Sequence, residues 1–264
     1  MIADSHVHTS FSTDSDTPME AQVRAALSKG MKDICFTDHY DMDYPGGEFE
    51  LDTEGYLMEI ESMRKRFGDR IRIRAGVEIG LKPDLGKKIS DYLRKWPFDY
   101  AIGSLHLIDN VDPYYRDSFP GTDEEMYRLY FKRMLECLQK TEGYRSVGHL
   151  DYIVRYGYTR EKNYSYKAFQ DVIDPVLEEM VKRDLALEVN TAGFKYGLPF
   201  PNPHPDIIRR FRELGGRRIT LGSDAHEPKY VGYCFEQTAD LVQECGFEAV
   251  SVFCGREEEL VGLG

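Results

Sequence analysis

The sequence predicts an α/β barrel of about seven βα units with its functional residues gathered at one rim. Three observations predict it. Short apolar runs alternate with amphipathic helical segments along the chain. Six of the seven histidines follow one of those runs within three residues. The number of runs that end this way favours a closed barrel over an open sheet, which would spread its strand ends along a line.

The runs read as strands are Met1–Ser5, Asp33–Thr37, Arg72–Ile79, Asp99–Ser104, Ser146–Gly148, Leu185–Asn190 and Ile219–Gly222. Helical patterns lie between and after them, at Met19–Lys29, Glu54–Phe67, Lys87–Lys95, Asp123–Gln139, Ser165–Arg183, Pro205–Leu214 and Val231–Cys245. In Ser165–Arg183, the residues Phe169, Val172, Ile173, Val176, Leu177 and Met180 recur at helical spacing and mark a buried face. No repeat, low-complexity tract or Pro/Ser-rich linker interrupts the pattern, so residues 1–264 are expected to form a single domain.

A chain of 264 residues that is 41% hydrophobic suits one large core. The net charge of −12 argues against a nucleic-acid partner, mildly, because bound metal ions would add positive charge locally. Cys35, Cys137, Cys234, Cys245 and Cys254 are odd in number and contain no CxxC pair, so a reducing, cytoplasmic setting is expected rather than a disulfide framework. Met1–Ser5 lacks the basic and apolar regions of a signal peptide, and no apolar run reaches the length of about 18 residues that a membrane span needs.

His6 and His8 follow the first run, His39 the second, His106 the Ala101–Ser104 stretch, His149 Val147-Gly148, and His226 Leu221-Gly222. Glu78 ends the Arg72–Val77 stretch, and Asp224 stands beside His226. His6-Val7-His8 places two imidazoles on the same side of an extended segment, a two-point claw for a cation. Imidazole with carboxylate suits zinc, iron or manganese. A single histidine at a strand end is ordinary; eight such groups converging from six or more strands point to a metal centre. His204, inside Pro201–Pro205, is expected near a helix start and without chemistry.

Asp4-Ser5-His6-Val7-His8-Thr9, Phe36-Thr37-Asp38-His39, Gly76-Val77-Glu78, Gly103-Ser104-Leu105-His106, Gly148-His149-Leu150-Asp151 and Gly222-Ser223-Asp224-Ala225-His226, in that order, resemble the PHP (polymerase and histidinol phosphatase) family. The resemblance implies a distorted, TIM-like seven-stranded β/α barrel with its active site at the strand C-termini. It also implies two or three divalent ions (Zn, Fe or Mn). Carried onto this chain, one ion takes His6, His8, Glu78 and Asp224; a second shares Glu78 and takes His106 and His149; a third takes Asp14, His39 and His226. Asp16 is the alternative to Asp14.

Within the family, chain length, the aromatic loop Asp109–Arg116 and the segment Glu188–Lys195 are similar to the histidinol-phosphatase branch. That similarity implies hydrolysis of L-histidinol phosphate by a metal-bound hydroxide, with Asp224, His226 and His39 at the catalytic step. A phosphoesterase of the same family acting on nucleotides or short oligonucleotides is the alternative. Arg155 and Lys195 are the preferred phosphate-binding cations, with Arg160 a weaker candidate. Lys195 stands where many relatives carry arginine, replacing a bidentate grip with a point charge. Asn190 is expected to orient substrate or a ligand, and Asp38 and Asp151 their neighbouring imidazoles. Tyr114, Tyr115 and Asp43 are expected to wall the cationic end of the substrate. The rivals are a decayed, non-catalytic metal module, which should show gaps in the ligand set, and an amide hydrolase with a carboxylated lysine, for which no strand-end lysine stands out. The expected partner is a small phosphomonoester; the oligomeric state is not legible.

Overall fold

In the computed structural model, which describes residues 3–263, the chain runs β1 (Asp4–Val7), α1 (Met19–Ser28), β2 (Asp33–Phe36), β3 (His39–Tyr40), α2 (Thr53–Phe67), β4 (Arg72–Gly80), α3 (Gly86–Lys95), β5 (Tyr100–Ser104), α4 (Asp123–Lys140), β6 (Ser146–Val147), α5 (Tyr166–Lys182), β7 (Ala186–Asn190), α6 (Ala192–Lys195), α7 (Pro205–Glu213), β8 (Ile219–Gly222), α8 (Phe235–Glu244), β9 (Ala249–Cys254) and β10 (Glu257–Gly262). Strands β1, β2, β4, β5, β6, β7 and β8 lie side by side in that order and pair in parallel. The two-residue β3 pairs with the far end of β4. This is the seven-stranded barrel that the sequence predicts.

The closing seam explains its distortion. Beyond β8, the chain meets β1 through a Val7–Ala225 bridge. The Asp224 N–H donates to the His6 carbonyl at 2.8 Å, and the His8 N–H to the Ala225 carbonyl at 3.0 Å. Below them, the buried Asp4 carboxyl accepts from the Ser223 N–H and hydroxyl and from the Gly232 N–H. A side chain thus completes what a regular ladder would otherwise do.

Helix ends follow the capping chemistry of the sequence. Asp52 accepts from the Gly55 N–H ahead of α2, Thr122 and Glu125 form a reciprocal capping box on α4, and Ser165 accepts from the Ala168 N–H ahead of α5. The segment predicted as Ser165–Arg183 is therefore α5 plus its two cap residues. His204 caps α7, its Nδ1 accepting from the Asp206 N–H.

The structure departs from expectation at three places. The first strand is Asp4–Val7 rather than Met1–Ser5, of which Met1 and Ile2 lie outside the described residues. The helix predicted from Val231 starts only at Phe235, because Gly232 and Cys234 take positive φ (61° and 57°) and break the right-handed path. The hairpin β9–β10 was not anticipated. It closes the barrel end opposite the histidines: Phe253 stacks on Tyr100 with ring centroids 5.4 Å apart, and the Phe253 carbonyl accepts from Arg74. No helix among the described residues is long and apolar enough to cross a membrane.

Arg74 is 1% exposed inside the barrel. Its Nε donates to Asp33 at 2.7 Å and its Nη2 to Ser5 Oγ at 3.1 Å. Removing the carboxylate strands a buried guanidinium, which costs about 3–5 kcal/mol. Asp33→Ala should therefore lower the urea-unfolding free energy of the metal-free protein by about that amount. A loss under about 1 kcal/mol, the level of an exposed pair, would contradict this view of the lower barrel.

Candidate metal centre

Strand direction determines where the chemistry collects. In a parallel barrel all strand C-termini open on one face, and here His6 and His8 leave β1, His39 starts β3, Glu78 lies near the end of β4, and His106, His149 and Asp224 follow β5, β6 and β8. Asp224 takes a left-handed backbone (φ 54°), which turns its carboxylate inward rather than along the strand.

Glu78 is the point of convergence. Its side chain is 1% exposed. Oε1 lies 2.9 Å from His149 Nε2 and 3.2 Å from His106 Nε2. Oε2 lies 3.1 Å from His39 Nδ1, 3.2 Å from His6 Nε2 and 3.4 Å from His8 Nε2. Asp224 Oδ1 stands 3.4 Å from His8 Nε2 and 3.9 Å from His6 Nε2. Asp14 Oδ2 stands 3.1 Å from His226 Nε2 and 3.7 Å from His39 Nε2. All nine predicted ligands thus meet in one place. Between the two loop acids, Asp14 faces the imidazoles, whereas Asp16 only lines the opening.

The donor set fits divalent cations. His6 Nε2 and His8 Nε2 face one another at 2.9 Å, an arrangement that two lone pairs cannot satisfy without a shared cation or proton. Glu78 Oε2 and His39 Nδ1 are buried and make no well-formed hydrogen bond within the protein. Among the described residues, four groupings hold ligand atoms close enough for one ion each: His6, His8 and Asp224; Glu78, His106 and His149; His8, His39 and His226; and His39, Asp41 and His106. Two or more cations fit these positions by geometry and by donor chemistry.

Several orienting groups escaped the sequence reading. Glu188 on β7 accepts from His6 Nδ1 at 2.6 Å, and Asp41 from His106 Nδ1 at 2.7 Å. Ser12 Oγ donates to Asp38 and accepts from His8 Nδ1 and the His39 N–H. Asp38 therefore reaches His8 through Ser12 instead of orienting the His39 ring. Asp151 does not touch an imidazole ring either; it accepts from Asn202, the His204 N–H and Tyr164, and fixes the 202–204 loop. The only hint available was charge in apolar surroundings: Glu188 sits between Leu187 and Val189 on a strand whose five residues are all buried.

The cavity above the cluster holds about 500 Å³, and Arg155 and Lys195 both line it. Arg155 lies over the rings of Tyr196, Tyr156 and Tyr152 at 4.2, 4.8 and 4.9 Å, and Lys195 Nζ over Tyr230 and Tyr196 at 4.8 and 5.0 Å. Four expectations need correction. Arg160 points away and donates to the Tyr196 carbonyl. Tyr115 is 61% exposed and lies outside the cavity, as does Tyr114 beside it. Asp43 pairs with Lys88 on the surface. Asn190, expected to orient substrate or a ligand, is fully buried and donates to Glu188 and to Asp224, which agrees with the second role and not with the first.

Electrostatics agree with a cation-holding site. Burial opposes ionisation of Glu78, yet His6, His106 and His39 hold its carboxyl well below the usual range. Burial also opposes protonation of His39, but Glu78 and Asp14 outweigh it and raise its pKa from 6.5 to about 9. His6 rises for the same reason, under Glu188, Glu78 and Asp224. Burial, with His226 and His39 nearby, pushes His8 down, leaving it an unprotonated ligand. Because the folded value of His39 exceeds its ordinary one, its proton stabilises the metal-free fold fully below 6.5, and that contribution is lost as pH rises through about 9. A cation must displace the same proton. Apparent zinc affinity should therefore rise with pH, by up to about tenfold per pH unit for each displaced proton. Calorimetry near neutral pH in two buffers of different ionisation enthalpy should show protons released on zinc binding; zero release would contradict the assignment.

Comparisons with known proteins agree with the geometry. The model of the PHP domain matches residues 4–192. A histidinol-phosphatase of Lactococcus lactis subsp. lactis is 32% identical over 254 residues, covering 96% of this chain and 94% of its own. A protein of Clostridium acetobutylicum named probable histidinol-phosphatase is 34% identical over 252 residues, covering 95% and 96%. The crystal structure of the L. lactis histidinol phosphate phosphatase, complexed with zinc, L-histidinol and phosphate, aligns at a TM-score of 0.90 with 31% identity, covering 98% of each chain. From ligand order, barrel topology and these likenesses together, the chain belongs to the PHP domain family.

Proposed function

We propose that this protein is a metal-dependent phosphomonoesterase that hydrolyses L-histidinol phosphate to L-histidinol and phosphate. The observation that carries this reading is the pairing of two features in one cavity: a cluster of metal-binding side chains on its floor and the cations Arg155 and Lys195 on its wall. Similarity to named histidinol-phosphatases over nearly the whole chain supports the substrate.

His6, His8, Glu78 and Asp224 would hold one ion, Glu78, His106 and His149 a second, and Asp14, His39 and His226 a third; zinc, iron and manganese all suit them. Bound divalent ions supply the Lewis acidity that activates water near neutral pH and offsets charge on a phosphoryl group.

The protein's own groups do the rest. Arg155 Nη2 donates to the Tyr156 hydroxyl at 2.6 Å, and its guanidinium lines the cavity, where it can meet a phosphate oxygen. The aromatic faces around it fix the guanidinium plane. Lys195 adds a point charge on the same side. Asp224, held ionised well below its usual range against burial by His6, His8 and His226, is a poor base but a lasting anion at the cavity, suited to holding a cation and orienting the attacking water.

The leaving alcohol carries an ammonium and an imidazole. The acids of the cavity are not equivalent toward it. Asp14, Asp41 and Asp224 face imidazoles, Glu227 pairs with Lys229, and Asp16 stands exposed at the opening, where water screens it. Asp112 is held instead by neutral donors, the Tyr44 hydroxyl and the Tyr114 N–H, both at 2.7 Å. Its charge is left for the cationic end of the substrate, with Tyr44 and Phe49 as the apolar wall beside it.

Steady-state rates on histidinol phosphate, a nucleotide monophosphate and a bis-ester should place kcat/KM for histidinol phosphate highest by at least about tenfold. A bis-ester or nucleotide hydrolysed faster would overturn the substrate assignment. Asp112→Asn should raise KM for histidinol phosphate by about tenfold, a loss of about 1.4 kcal/mol, with kcat little changed. Hydrolysis of p-nitrophenyl phosphate, which has no cation, should stay as it was; an equal loss on both would contradict a role for Asp112 in recognition.

A further inference from the structure

We propose that Glu188 is a positioning residue that sets metal affinity at two ligands at once, through His6 and through the backbone of His149. It is 1% exposed and has no contact with the cavity. Oε1 accepts from His6 Nδ1 at 2.6 Å. Oε2 accepts from the His149 N–H at 2.8 Å and from Asn190 Nδ2 at 3.2 Å. One carboxylate therefore spans β1, β7 and the end of β6, and grips one group from each of the two proposed ion positions that share Glu78.

The chemistry of each grip differs. At His6, a short bond to a carboxylate places the proton on Nδ1, so the lone pair of Nε2 faces His8 and Glu78, and it makes that nitrogen a stronger donor to a cation. At His149, the bond holds a residue whose φ of 22° lies outside the ordinary right-handed and extended regions. The N–H of that residue has no other partner among the described residues, so the carboxylate oxygen is what holds the turn that aims His149 Nε2 at Glu78. The surrounding backbone leaves room for this carboxylate and little else. A Cβ at Gly222 would lie 2.6 Å from Glu188 Oε1 and 2.4 Å from His6 Cβ, so glycine on β8 is what lets the carboxylate and imidazole meet.

Asp41 makes the contrasting case. It accepts a hydrogen bond from one ligand only, His106 Nδ1, although its carboxylate also lies in reach of an ion beside His39 and His106. A carboxylate that braces two ligands should cost more metal affinity on removal than one that braces a single ligand.

The proposal rests on the metal-centre reading above and is independent of which phosphomonoester is hydrolysed. The test is zinc affinity of the full-length protein by competition with a chromophoric chelator, for wild type, Glu188→Ala, Glu188→Gln and Asp41→Asn. Wild-type protein that takes up no zinc would defeat the metal-centre reading itself. Given wild-type binding, Glu188→Ala should weaken zinc by about 10–100-fold. Glu188→Gln, which keeps one carbonyl acceptor of similar shape, should fall between it and wild type. Asp41→Asn should lose less than Glu188→Ala. Cobalt-substituted Glu188→Gln should show a shifted visible absorption, and activity of this variant should recover as metal is raised to saturation. Wild-type affinity and an unchanged cobalt spectrum in folded Glu188→Gln would overturn the proposal. So would a loss in Asp41→Asn equal to that in Glu188→Ala. If Glu188→Ala fails to fold, Glu188→Gln decides by the same criteria.

Discussion

A buried carboxylate surrounded by five imidazoles is the constraint on which the upper half of this molecule is built. Glu78 could not remain ionised at 1% exposure without compensating positive charge, because desolvating a lone carboxylate costs several kcal/mol or more. His6, His8, His39, His106 and His149 crowd its two oxygens, and they arrive from β1, β3 and the ends of β5 and β6. Those strands must therefore end at one level, and the barrel must close far enough to bring β1 next to β8. The seam does so with two backbone hydrogen bonds and the Asp4 staple rather than a full ladder. Protons can satisfy such a cluster only in part, since His8 is driven neutral by burial and its neighbours. Divalent cations satisfy all of it.

Much of this was legible because parallel-barrel geometry converts sequence position into spatial position. A residue just after an apolar run lies on the functional rim whatever its distance along the chain, which is why His6 and His226 could be placed together. The helices were legible from caps and periodicity, as at Ser165 and Thr122. What stayed hidden depends on side-chain direction within one strand or on loop paths. Glu188 and Asn190 lie on the same strand two residues apart and both point into the barrel, yet the pattern marks no role for the first and leaves the second open between substrate and a ligand. Asp43 and Asp41 lie two residues apart near β3; the first goes to Lys88 on the surface and the second to His106. The loop after His106 supplies Asp112 to the cavity and leaves Tyr115 in solvent, a division set by the turn that the Tyr114 N–H makes onto Asp112. The hairpin β9–β10 was invisible because its partner is the barrel's lower mouth rather than another strand of the sheet.

The cavity wall carries its positive charge on two unlike side chains, Arg155 and Lys195. A lysine stands at 195 where the sequence resemblance leads one to expect arginine, and the planar guanidinium of this wall is that of Arg155, clamped between tyrosines. The cationic wall and Asp112 lie in the same cavity, so its charge is divided between anion-seeking and cation-seeking groups. A zwitterionic or cation-bearing phosphomonoester matches that division better than an anionic polymer, in keeping with a net charge of −12.

The most direct measurement is anomalous diffraction from zinc-soaked crystals at the zinc edge. Peaks are predicted within bonding reach of His6, His8 and Asp224 and of Glu78, His106 and His149, with a further one beside Asp14, His39 and His226. Crystals of active protein with no anomalous density among these side chains would contradict the account.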